Sequence, residues 1–328
     1  MPQYVVGFDV GGTRIKSGGV SPGGRLLKPS TSPSGFTLGP QRLLKVLVAE
    51  VKRLTKELGE KPQAIGLGFP GGVHPDKGVV FLPGKLKGLE GFPIVPRLSK
   101  AVGVPVVADN DGRISIYAES TYGLARYRDW AVTVTIGTGV GSGVKLDGRI
   151  MRDPHLQFGT QLAHLVQQAH GGRLCITNSR GTAEMMCSAT SLAMQVRDGL
   201  ARGIPSSLSE RYFDDAHAID FKAVARAASA GDRLCLDELE HWTQNLGWLL
   251  VSAVHVYAPE IIILSGGATQ AAGLYLEKLR DHVNRHIFRY PPGDPVPIEL
   301  SKLRTHSGVL GTGALAWERV ESIRTKGA

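Results

Sequence analysis

A chain of 328 residues, 42% hydrophobic and 20% charged, is long enough for two domains with cores of their own and has the balance of a soluble globular protein. Its formal charge of +9 does not carry a nucleic-acid reading, because the basic residues are scattered, with no run and no aromatic interleaving; a solvated basic surface follows instead. Three cysteines, Cys175, Cys187 and Cys235, in a chain that opens without a signal peptide point to the reducing cytoplasm, and the longest apolar stretch, 248–264, is broken by His255, Pro259 and Glu260, which excludes a membrane span.

The first informative stretch is Val5-Val6-Gly7-Phe8-Asp9-Val10-Gly11-Gly12-Thr13, an apolar, β-branched run that breaks at glycines and resumes over 15–20. It predicts a hairpin whose turn brings backbone N–H groups and the Thr13 hydroxyl toward an anion. Asp9 inside such a phosphate cradle would repel the ligand unless a cation lies between them, and Mg²⁺ is the hard ion that suits oxygen ligands. Residues 21–40 are rich in Gly, Pro and Ser, with Leu26 and Leu27 ending a third strand. Leu43, Leu44, Leu47, Val48, Val51 and Leu54 predict a helix over 41–58. An apolar strand over 64–69 runs into a glycine-proline loop, the kind of strand end where α/β sheets gather ligands. Residues 72–96 read as irregular and as part of a binding wall. A buried strand over 104–108 then delivers Asp109, Asn110 and Asp111 to its end, ahead of a helix over 112–122. Two readings stand for these polar residues: an N-cap by Asp109 or Asp111, or Asp111 facing a cleft as a general base.

The second half repeats the pattern. A hairpin over 131–147 turns at Gly137-Thr138-Gly139-Val140-Gly141, a second phosphate cradle. An irregular region over 147–180 precedes helices over 182–200, 214–230 and 232–256. The segment 259–264 reads as a fully buried strand that ends in Ser265-Gly266-Gly267 and opens a helix over 271–288; the glycine pair serves either packing or the approach of a flat ring. Val296, Ile298 and Leu300 alternate as in a short strand, which Pro297 confines to a sheet edge. A closing helix over 311–324 carries Leu315, Ala316 and Val320 on a face able to cross back to the first half.

Together these residues resemble the ROK family (repressors, open reading frames and sugar kinases). Residues 8–16 are similar to its first phosphate motif and 66–71 to its glycine-rich strand end. Asn110-Asp111 resembles the pair holding the catalytic aspartate, 137–141 the second phosphate motif and 259–267 the adenosine segment. The likeness covers nearly the whole chain. It implies an α/β fold, a duplicated ribonuclease H-like (actin/hexokinase-type) two-lobed fold with a cleft between the lobes. Residues 1–112, joined by a C-terminal helix at 313–328, form the small lobe and 113–312 the large one. The implied reaction moves the γ-phosphoryl group of ATP to a sugar hydroxyl, with Asp111 as catalytic base and no covalent intermediate. On the sugar side the resemblance places Gly71, Asn110, Asp111, Gln161, His164 and Glu184. To ATP fall Asp9, Gly11, Gly12, Thr13, Lys16, Gly137, Thr138, Gly139, Gly266 and Gly267, with Asp9 meeting Mg²⁺ through water. A cytoplasmic homodimer without nucleic acid or membrane partners completes the expectation.

The sequence departs from the family at the substrate side. Its Gly-Glu-x-Gly-His segment reads Thr160-Gln161-Leu162-Ala163-His164 here, and the zinc loop Cys-x-Cys-x-x-x-x-Cys-x-Glu keeps only Cys175 and Glu184, with Thr177 and Thr182 where two thiols belong. Thr is no zinc ligand, so structural zinc is expected to be absent and the loop to be held by packing and hydrogen bonds through Thr177 and Thr182. The tryptophan-containing loop of the family is also altered around 82–89. Gln161 both donates and accepts, so a hexose, an amino sugar or a cyclitol is the expected acceptor. The alternatives are a non-catalytic sugar-binding or regulatory relative, a degenerate scaffold, or a kinase using polyphosphate. The first strand begins within a few residues of Met1, which counts against the N-terminal helix-turn-helix of the family's repressors, and retention of Asp9, Asp111 and both turns favours the ATP-dependent kinase.

Overall fold

The computed structural model describes residues 3–34, 39–74, 77–81, 88–152, 159–289, 293–303 and 306–326. The chain forms two compact units, one of residues 1–129, 143–160 and 301–328, the other of 130–142 and 161–300. These seams fall at other points than the expected 112/113 and 312/313, because the helix that follows Asn110 packs with the first unit.

In the first unit the apolar runs form β1 (Val5–Val10), β2 (Arg14–Val20), β3 (Leu26–Pro33), α1 (Pro40–Leu58), β4 (Ile65–Phe69), β5 (Gly72–His74), β6 (Val79–Phe81), α2 (Ile94–Val102), β7 (Val106–Asn110) and α3 (Asp111–Tyr122). The main sheet is ordered β3-β2-β1-β4-β7. Its first three strands form the expected antiparallel meander, and β1, β4 and β7 run parallel. Leu26 and Leu27 begin β3 and do not end it. The strand continues through Pro29 and Pro33, which an edge position tolerates because no neighbour needs their missing N–H. α1 buries Leu43, Leu47, Val51 and Leu54 on the helical period and stops at Gly59, whose φ of 80° suits glycine. The irregular reading of 72–96 is corrected by the β5–β6 hairpin and by the start of α2, whose short apolar face is Ile94 and Leu98. The altered loop at 82–89 lies mostly outside the described residues, which resume at Gly88.

Next come β8 (Ala131–Ile136), β9 (Val140–Leu146), β10 (Arg149–Ile150), α4 (Ala183–Cys187), α5 (Ala189–Ala201), α6 (Ser209–Asp214), α7 (Phe221–Ser229), α8 (Arg233–Tyr257), β11 (Ile261–Ser265), α9 (Leu276–His286) and β12 (Ile298–Leu300). The second five-stranded sheet is ordered β10-β9-β8-β11-β12, and β11 runs parallel to β8 and β12. β12 takes the edge that Pro297 predicts.

Three expected helices change their limits. The run 182–200 breaks at Ser188, which is extended (φ −72°, ψ 159°), accepts the N–H of Ser191 on its hydroxyl and receives the Trp242 indole N–H on its carbonyl. The helix expected from 214 starts at Phe221, where the Asp220 carboxylate caps the N–H of Ala223 at 2.8 Å. The helix expected from 271 is a 3₁₀ stretch, Gly267–Leu274, kinked at Ala271, before α9 begins. Among the described residues no helix is long and apolar enough to cross a membrane.

The last helix, α10 (Ser307–Lys326), belongs to the first unit and packs on β1, β4 and α3. Val309, Leu310, Ala316, Trp317 and Val320 join Val5 and Val20 in one buried cluster. The helix lies directly on neighbouring backbone: a Cβ at Gly66 of β4 would collide with the Thr312 carbonyl, and one at Gly311 with that of Ile114 in α3.

Candidate active site

The junction of β7 and α3 is built by three consecutive polar residues with separate tasks. Asn110, and neither neighbouring aspartate, is the N-cap: its Oδ1 accepts the N–H of Gly112 at 2.9 Å and of Arg113 at 3.3 Å. Its Nδ2 donates to the Gly71 carbonyl at 2.7 Å, tying the end of β7 to the loop after β4. Asp109 is buried beneath, accepting the Asn110 N–H and pairing with Arg113 at 3.3 Å and Arg152 at 3.0 Å. Burial pushes its carboxyl above the usual carboxylate range, and the two guanidiniums oppose that shift. Asp111 is left exposed at the first position of α3, with an oxygen accepting the N–H of Gly112. A carboxylate in that setting is accessible to an incoming hydroxyl and held by a braced elbow.

The first turn, between β1 and β2, presents Gly12 and Thr13 to solvent. It is fixed by the Gly11 N–H donating to the Arg14 carbonyl and by Ser34, whose hydroxyl donates to the Gly12 carbonyl at 2.8 Å. No described atom lies within 4 Å of where a Gly12 Cβ would stand, so packing does not require glycine there. Asp9 closes the turn from the strand side. Its carboxylate packs on Gly308 of α10, where a Cβ would come within 2.5 Å, and the Lys16 ammonium lies 4.0 Å away. Burial raises its pKa and Lys16 opposes the rise. A single hard oxygen donor beside a turn of N–H groups fits a magnesium ion that keeps most of its waters.

The second turn, between β8 and β9, is tied by the Gly137 N–H to the Gly139 carbonyl and by the Ala189 N–H to the Gly137 carbonyl, both at 2.9 Å. Glu184, in the first turn of α4, lies against it, with Oε2 accepting the N–H of Val140 at 3.3 Å. The glycine pair after β11 divides its tasks. Gly266 has φ 94° and would collide with Ile136 if it carried a Cβ, so the fold alone explains it, whereas Gly267 opens on space with no described atom within 4 Å.

Gln161 precedes and His164 ends a 3₁₀ turn, Leu162–His164, and His164 Nδ1 stands 3.7 Å from the Cys175 sulfur. Burial alone would raise the Cys175 thiol, but the neighbouring Thr177 backbone and the polar side chains of Thr182 and Thr177 draw it below its ordinary value. The positions that the family uses for zinc thus converge, with two hydroxyls among them, a donor set that does not fit the ion. Among the described residues no three His, Cys, Asp or Glu side chains form a metal-binding group. Sequence reading missed Ser34, Arg113 and Arg152, which brace the sites from distant or unremarkable positions.

The family model of the ROK family matches residues 5–319. The chain belongs to the ROK family. It is 28% identical over 323 residues to a glucokinase of Thermotoga maritima, covering 98% of this chain and 99% of that one. The ROK hexokinase of Thermus thermophilus superposes with a TM-score of 0.80 at 28% identity, over 98% of this chain and 100% of that one. A ROK family glucokinase of Streptomyces griseus, solved with glucose and AMPPNP, superposes with a TM-score of 0.79 at 23% identity, over 96% and 99%. The fold class read from the sequence, the two-lobed α/β fold of the ROK hexokinases, is that of this chain.

Proposed function

We propose that the chain is an ATP-dependent sugar kinase in which Asp111 takes the proton of the acceptor hydroxyl as the γ-phosphoryl group is transferred. The observation that carries this reading is the elbow at β7 and α3: Asn110 is held by capping and by the bond to Gly71, while Asp111 stays exposed on the same rigid support. An alcohol is a weak nucleophile at neutral pH, and a positioned carboxylate supplies the missing basicity only as the P–O bond forms. Asn110 in this reading positions Asp111, and one amide hydrogen of its Nδ2 remains for a neighbouring hydroxyl of the acceptor.

The phosphates fall to Gly11, Gly12, Thr13, Thr138 and Gly139, with Gly137, Gly266 and Gly267 shaping the nucleotide's approach and Lys16 adding charge. Asp9 would hold Mg²⁺ through water, and the ion when bound neutralises phosphate charge. Gln161, His164 and Glu184 read the sugar. The activity named for the Thermotoga relative makes glucose the first acceptor to try, and Gln161 extends the list to amino sugars and cyclitols. Three free, buried cysteines suit a reducing cytoplasm. Val166, Leu174 and Ile176, each more than half exposed on the second unit, are apolar side chains that a second copy of the chain would cover, and light scattering would detect such a dimer.

A coupled ADP-release screen over hexoses, amino sugars and cyclitols tests the activity. Asp111→Asn should lower kcat by about 10²–10⁴ while sugar binding, followed by calorimetry, persists. Wild-type turnover by that variant would remove Asp111 from the base role.

A further inference from the structure

Each turn in this protein has a carboxylate beside it, but their surroundings differ. Asp9 at the first turn has the Lys16 ammonium 4.0 Å away. Glu184 at the second has no ion-pairing partner among the described residues. Its Oε2 instead accepts the N–H of Val140, and it presses so closely on Gly139 that a Cβ at that position would collide with it. The same side chain stands near enough to the Cys175 thiol, in the loop that carries His164, to oppose its ionisation. One carboxylate therefore touches the turn assigned to phosphate and belongs to the segment assigned to the sugar.

Two anions do not share one cradle. Unit charges a few ångströms apart repel strongly where water is partly excluded. We propose that Glu184 is a positioning residue for the second turn, occupying it against phosphate until an acceptor hydroxyl draws the carboxylate away, so that nucleotide is admitted after the sugar. The proposal rests on the kinase reading and adds an order of binding to it. A sugar O–H gives a charge-assisted bond shorter and stronger than the 3.3 Å amide contact it replaces. Its arrival frees the Val140 N–H and leaves the turn with donors facing the incoming phosphate. No covalent bond changes in this step, and ATP is kept from water while no acceptor is present.

The test is calorimetric titration of the full chain with Mg·AMPPNP in the absence of any sugar. Glu184→Gln keeps an oxygen that accepts from Val140 and removes the charge. Its Kd should fall about tenfold below that of the wild type, and its acceptor-independent ADP release should rise. A mere brace would leave the Kd unchanged in this variant, and that result, or weaker binding, overturns the proposal. Glu184→Asp withdraws the charge by one methylene and should tighten binding to an intermediate degree; it carries the same test if Glu184→Gln does not fold, and an unchanged Kd again decides against the proposal. The kinase reading fails through a separate readout, a wild type that turns over no sugar while the titration still separates the proteins.

Discussion

Asp9 shows how one residue's surroundings set a condition on activity. Its carboxyl is pushed upward by burial, so it takes up a proton at a higher pH than an exposed aspartate does. Only the anion attracts a magnesium ion. As pH falls through that raised value, the apparent KM for Mg·ATP should climb while kcat at saturation holds. Asp9→Asn should show the high KM at every pH and lose the acid-side dependence; wild-type magnesium behaviour in that variant would dismiss the assignment. At this scale the sequence made some residues legible and hid others. Asp9 and Asp111 stand in short motifs whose residue types do not serve folding, so they draw notice. Arg152 lies far along the chain from Asp109, and nothing local marks it as a partner. Asn110 shows the same limit in small: which of three adjacent polar residues caps a helix depends on backbone angles that spacing does not reveal.

Helix ends carry the clearest predictions among the elements. Asp232 caps α8. Burial alone would raise its carboxyl, but the N–H groups of Cys235 and Ser207 and the hydroxyls of Ser207 and Ser206 hold it well below the ordinary range. A depressed acid contributes stability above its unfolded pKa of about 3.9, and that contribution is lost as pH falls toward the folded value. Asp232→Ala should therefore cost about 1–2 kcal/mol at neutral pH, and the gap between the two proteins should close below about pH 4 in denaturant melts. The loop that carries Cys175 makes a second element-scale prediction. Thr177 and Thr182 lie near enough to the Cys175 sulfur, itself 3.7 Å from His164 Nδ1, to lower its pKa, so the double substitution Thr177→Cys and Thr182→Cys should take up one equivalent of zinc by metal analysis, while the parent takes up far less. Strands and long helices were readable because burial imprints a period on them. The break at Ser188 was not, since a tertiary bond from Trp242 rewards it and no local pattern announces it. α2 escaped notice because two buried residues are too few to establish a period.

The whole molecule is threaded so that its ends meet. The first unit takes residues from the beginning, the middle and the end of the chain, and α10 covers the strands that carry Asp9 and Gly66. Gly66→Ala should destabilise the protein by about 3 kcal/mol or more, because a Cβ there meets backbone at Thr312 and no rotamer change can relieve it. Thermal melts would measure this, and a change under about 1 kcal/mol would mean that the helix does not lie on bare strand. The contact between Asp9 and Gly308 has a consequence for biogenesis. A ribosome makes the first turn early, yet the surface that seats its carboxylate is synthesised nearly three hundred residues later. A chain that stops short of Gly308 therefore lacks the surface on which the Asp9 carboxylate rests.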